Sequence, residues 1–156
     1  MPTIMWNELL SLFHGFLGLI FLMAFSGAFT ELINKNVKSI KRIKIGIIVM
    51  LIVSTILFIT GVSAYSIYRA PGGAREFIKA SSTPWVHDVL MELKEFTGFY
   101  VLVLMMVSAF FVFSFKEQII INKNLKKILT ILLILIMIWT LITFAFGAYI
   151  TKVKPI

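Results

Sequence analysis

The sequence predicts an all-α integral membrane protein, a four-transmembrane-helix bundle with both termini outside. Three observations predict it: four long stretches without charge, two short basic loops between them, and a composition unlike that of soluble domains. Sixty per cent of the 156 residues are hydrophobic and only 14% are charged. Soluble domains run nearer half apolar and a quarter charged. The length fits a single domain over residues 1–156, with little chain left for a separate soluble unit.

Taken in order, the spans are expected over residues 9–30, 45–68, 86–115 and 128–151, with an outer loop over 69–84. Crossing a bilayer takes about 20 residues of helix, and helices satisfy their own backbone where no water can. Nothing basic precedes the first span, and it exceeds the apolar core of about 7–15 residues found in signal peptides. It is therefore expected to be retained. In the third element only residues 96–115 are free of charge. Ser81-Ser82-Thr83-Pro84 reads as a helix start with Pro at the first helical position, so this helix begins near Trp85. At that length it spans about 45 Å, more than the hydrocarbon requires. Pro71-Gly72-Gly73 breaks the second helix, and Arg75-Glu76-Phe77-Ile78-Lys79 reads as a short interfacial helix within the loop.

Orientation follows from charge. Lys35, Lys38, Lys41, Arg42 and Lys44 lie between the first two spans, and Lys116, Lys123, Lys126 and Lys127 between the last two. Short basic loops stay in the cytoplasm, which puts both termini outside and the chain in the cell membrane as a multi-pass protein. The net charge of +8 is then a topology signal first. Attraction to anionic lipid comes second, and nucleic acid is not an expected partner. Trp6, Tyr65, Tyr68, Trp85, Tyr100 and Tyr149 gather near the outward span ends, where amphipathic rings prefer to sit. Trp139 lies within a span and is expected to pack inside the bundle.

The halves carry a repeated motif. Ile33-Asn34-Lys35-Asn36-Val37-Lys38 matches Ile121-Asn122-Lys123-Asn124-Leu125-Lys126, and Ala64-Tyr65 matches Ala148-Tyr149. This pattern points to two duplicated helical hairpins related by an axis along the membrane normal.

The chemistry-bearing residues cluster toward the outside. Asp88, Glu92 and Glu95 form one helical stripe, and His87, Met91 and Lys94 an adjacent one. His14 lies inside an apolar span, where ionisable groups are costly and usually face a bundle interior. Ser11, Gly15 and Gly18 adjoin it and would admit a neighbouring helix or a flat cofactor. His14, Asp88, Glu92 and Glu95 are therefore candidate ligands of a metal ion, since imidazole and carboxylates bind hard and borderline cations. His14, His87 and Lys94 are the candidates for holding haem b. The two histidines differ in height by roughly 12 Å along the helix axes, so His14 with Glu95 is an equally good pairing.

No cysteine is present. That excludes iron–sulfur clusters held by thiolates, c-type haem and Cys-based zinc sites. No phosphate loop, nucleophile triad or His-x-x-x-His pair occurs either, so no catalytic activity is expected of the chain by itself. The expected function is a small accessory subunit of a larger membrane complex in respiratory or other energy metabolism, with the lipid bilayer and other membrane subunits as partners. One alternative is an electron-transfer subunit that binds b-type haem or interacts with quinone. A second is a small ion or metal transporter using His14, Glu92 and Glu95. In topology alone the chain is similar to small haem-binding four-helix subunits of respiratory complexes.

Overall fold

A computed structural model describes residues 2–37 and 39–153, with side chains for 9–10, 12–37 and 39–153. Lys38 of the first motif, and the side chains of Trp6 and Ser11, lie outside these. Among the described residues all regular structure is helical. The elements are α1 (Pro2–Ile33), α2 (Lys41–Arg69), α3 (Ala74–Ala80), a π-helical turn (Val86–Met91) running directly into α4 (Glu92–Phe115), α5 (Gln118–Ile121) and α6 (Lys123–Val153). Among the described residues four helices are long and apolar enough to cross a membrane: Leu12–Ile33 within α1, all of α2, the π-turn with α4 (Val86–Phe115), and α6.

The long helices run up and down in sequence order. α1 packs on α2, α2 on α4 and α4 on α6, while α1 meets α6 only sparsely. Both described termini and the segment 70–85 share one end, here the cap. The turns 34–40 and 116–122 share the other, here the base.

Each long helix buries one stripe. On α1 it is Leu17, Phe21, Phe25, Ala28 and Leu32; on α2, Ile43, Ile47, Met50 and Val53. α4 contributes Val101, Met105, Ala109 and Val112, and α6 contributes Leu129, Leu133 and Ile136. Steps of three and four keep these residues on one face of a 3.6-residue helix. The opposite faces are equally apolar, with Leu12, Phe16, Met23, Ile59, Phe110 and Phe144 exposed. Helices apolar all round belong in a large core or in lipid. Trp139 is half-buried against the core and stacks on Tyr100, centroids 5.8 Å apart.

α1 and α2 come close together at Gly46. A Cβ on Gly46 would stand 2.7 Å from Ala28 Cβ and 3.1 Å from the Ala24 carbonyl oxygen. Only glycine fits there.

At the cap, α2 stops before Pro71, which cannot continue a helix. Gly72 takes φ +72, a conformation that favours glycine. Gly73 packs so tightly that a Cβ would come within 2.7 Å of the Tyr68 and Ala70 carbonyls. The expected loop 69–84 is thus interrupted by α3, a helix held between two turns. At the base, the second basic loop is shorter than its charges imply. α5 occupies part of it, and α6 already starts at Lys123. The two base turns are tied together: Glu117 Oε2 accepts from the Ile40 amide at 3.2 Å, and Lys126 Nζ donates to the Asn34 carbonyl at 3.0 Å. Both copies of the repeated motif make the same side-chain turn. Asn34 Oδ1 accepts from the Asn36 amide, and Asn122 Oδ1 from the Asn124 amide, each at 2.9 Å.

Candidate functional site

Two polar sites stand at the cap half of the bundle. In the upper one, α3 lies over the helix ends and buries Ala74 and Ile78 against Tyr68, Val86, Met91 and Ile150. Tyr68 is wholly buried and His87 is 4% exposed. A buried imidazole needs partners for both nitrogens, and here it has them. Arg75 Nε donates to His87 Nε2 at 3.1 Å, and Tyr68 Oη lies 3.1 Å from Nδ1. Arginine has donors only, so Nε2 is the accepting nitrogen. The ring proton then sits on Nδ1 and is donated to the tyrosine oxygen. Around this trio, Tyr65 stacks on Tyr68 at 5.9 Å, Arg69 lies over the Tyr65 ring at 5.3 Å, and the Tyr65 hydroxyl faces the Glu95 carboxylate. Lys79 pairs with Asp88 at 3.6 Å, and Trp85 meets Tyr149 at 6.0 Å.

The lower site is a layer to which each long helix contributes. His14 of α1 bonds through Nδ1 to Thr60 Oγ1 of α2 at 2.9 Å. With the Thr60 hydroxyl donating to the Ile56 or Leu57 carbonyl, at 2.9 and 3.1 Å, its oxygen accepts from His14 Nδ1 and Nε2 keeps its lone pair. Lys94 of α4 is an electrostatic neighbour of His14. Its stem lies against Gly147 of α6, where a Cβ would stand 3.5 Å from Lys94 Cε. Just beneath, the Thr143 hydroxyl of α6 donates to Thr97 Oγ1 of α4 at 2.8 Å. Gly61 and Gly147 leave room for the two ionisable side chains.

The structure therefore brings together His14 and Lys94, and separately His87 with Tyr68 and Arg75. It does not gather His14, Asp88, Glu92 and Glu95. Asp88 sits with Lys79, Glu95 with Tyr65, and Glu92 is exposed. Among the described residues no three of His, Cys, Asp or Glu form a group that could hold a metal ion. A ligand reaching His87 must displace Arg75. His14, with one nitrogen oriented and the other open, is the residue better arranged to coordinate. Thr60, Arg75 and Tyr68 are site residues that the sequence alone does not single out. Thr60 carried one signal, a hydrogen-bonding side chain within an apolar span.

Comparison with protein-family models, curated proteins and solved structures finds no match to this chain.

Proposed function

We propose that this chain is a small accessory subunit of a larger energy-converting membrane complex, with no catalytic activity by itself. The observation that carries this reading is the face of α1 bearing Gly15 and Gly18, where a Cβ would meet nothing within 4 Å. In a helix, glycine costs about 1 kcal/mol relative to alanine, and where it lines no groove, as at Gly15 and Gly18, it gains nothing against lipid in return. Against another helix it allows close approach, the usual role of small residues in membrane packing. The His14–Lys94 layer supports a place in energy conversion, since ionisable groups at membrane depth mark ion or proton pathways.

The cap faces outward and the base faces the cytoplasm, as nine of the fifteen basic residues flank the base turns. The identical asparagine turns of the two motifs support descent from a duplicated hairpin. Because the chain has no cysteine, Asn36→Cys and Ser82→Cys each introduce a sole thiol. In intact cells a membrane-impermeant maleimide is expected to label Ser82→Cys at once and Asn36→Cys only after permeabilisation. The reverse pattern would invert the orientation.

The subunit reading is tested by isolating the tagged chain from its native membrane in mild detergent. Stoichiometric companion chains are expected, and Gly15→Leu with Gly18→Leu is expected to release them while helical content is unchanged. A stable chain without companions would sink it. One observation favours a second reading, a b-type haem or quinone-interacting electron-transfer subunit. His14 has its Nδ1 held by Thr60 and its Nε2 open, the arrangement of a ligating histidine. The same preparation, reduced with dithionite, should then show a sharp α-band that His14→Ala abolishes. A featureless spectrum removes the haem version.

A further inference from the structure

We infer that the base half of the α1/α2 face is a binding slot for one anionic phospholipid, an inference that rests on the membrane placement proposed above. Two adjoining hollows form it. The first is an open groove of about 880 Å³ between α1 and α2, with Met23, Ala24 and Gly27 on one wall and Ile45, Gly46 and Val49 on the other. Gly27 adds no side chain to its wall, and Gly46 lets the two helices meet at Ala28. The second is a polar hollow of about 450 Å³, lined by Glu31, Asn34, Asn36, Ser39, Lys41 and Arg42.

Glu31 and Arg42 line both hollows, so the two adjoin at this ion pair. The slot's character changes from apolar to basic where the apolar run of α1 ends and α2 begins. That is the profile of an acyl chain joined to an anionic headgroup. An apolar partner helix would match the groove and leave the polar hollow unmatched.

Arg42 is suited to a phosphate. Its side chain is 82% exposed and held by one ion pair, to Glu31 at 3.5 Å. A guanidinium so placed can turn its fork to a phosphate, which it matches with two parallel hydrogen bonds. Lys41 adds a second positive charge, and Glu31, the one carboxylate in the slot, keeps Arg42 at its mouth. The Ile40 and Lys41 N–H groups are engaged by Glu117 and Ser39, so the headgroup is read chiefly by side chains.

The test compares phosphatidylglycerol with phosphatidylcholine on the complete purified chain. After detergent washing, native mass spectrometry is expected to show one retained phosphatidylglycerol per chain, and adding that lipid should raise the melting temperature more than phosphatidylcholine does. Gly27→Leu fills the groove, and its Cβ meets nothing within 4 Å, so the helix accommodates it. It is expected to remove both the retained lipid and the melting-temperature rise. Arg42→Ala should weaken phosphatidylglycerol about fivefold, the effect of one basic residue near an anionic headgroup, and leave phosphatidylcholine unchanged. Gly15→Leu, away from the slot, should alter neither.

Equal effects of the two lipids on the unaltered chain would overturn the inference, as would lipid retention by Gly27→Leu. So would crosslinking of Gly27→Cys to a companion protein in place of lipid. Loss of companion chains in Gly15→Leu with lipid retained speaks to the subunit reading alone, so the two proposals fail separately.

Discussion

Replacing Tyr68 with alanine is expected to destabilise the protein by about 3–5 kcal/mol, the range for removing a large buried aromatic side chain. The ring is wholly buried in a cluster drawn from four segments: its own α2, Ala74 and Ile78 of α3, Val86 and Met91 of the π-turn, and Ile150 of α6. Its hydroxyl also receives the His87 proton, so Tyr68→Phe is a separate and smaller test. Leaving the buried His87 N–H without an acceptor costs about 1–3 kcal/mol. Thermal unfolding in detergent measures both changes. Limited trypsin digestion locates them, since release of α3 exposes Arg75 and Lys79 to cleavage while the long helices stay intact. An unaltered melting curve and an uncut loop in Tyr68→Ala would show that the cap is held by something else.

The second large effect is expected at Gly46. Even Gly46→Ala places a methyl 2.7 Å from Ala28 Cβ, closer than carbon atoms tolerate, and Gly46→Leu must push α1 and α2 apart. Overpacking of this kind costs about 1–3 kcal/mol, sometimes more. The cause can be isolated by a double-mutant cycle. Ala28→Gly removes the atom in the way, so Gly46→Ala combined with Ala28→Gly should recover much of the loss of Gly46→Ala alone. Recovery will be incomplete, because the Ala24 carbonyl oxygen stands 3.1 Å from the new methyl and cannot be mutated away. Simple additivity of the two substitutions would mean that the helices are not in contact at this point.

The long helices were legible in the sequence because an uncharged run of bilayer length has few other uses. The two stripes at the start of the third long helix were legible from spacing alone. Asp88, Glu92 and Glu95 are exposed, whereas His87 and Met91 are buried and Lys94 is half-buried. The short helix at residues 75–79 was legible from its position between a glycine pair and a serine cap, and α3 occupies 74–80.

Partnerships were not legible. His14 announced itself by its depth, yet its partner Thr60 comes from another helix, and a threonine within an apolar span has many duller uses. The partners of His87 come from α2 and α3, forty and more ångströms of chain contour that no local pattern connects. The π-helical turn has no signature in the residues Val86–Met91 themselves. α5 was missed because Gln118–Ile121 is four residues long and sits among charges that read as loop.

That π-turn has a consequence for how the chain can change. A π-turn carries an extra residue within one revolution of an α-helix. The cap residues Val86 and His87 lie in this turn and the bundle residues Thr97 and Val101 in the α-helix that follows, so one rod holds both while the extra residue offsets their rotational settings. Deleting one residue between them would regularise the helix and swing His87 away from Tyr68 and Arg75, leaving the apolar stripe of α4 in place. A one-residue insertion or deletion here therefore re-aims the cap and spares the bundle, which makes this turn the point where the two halves of the molecule can diverge independently.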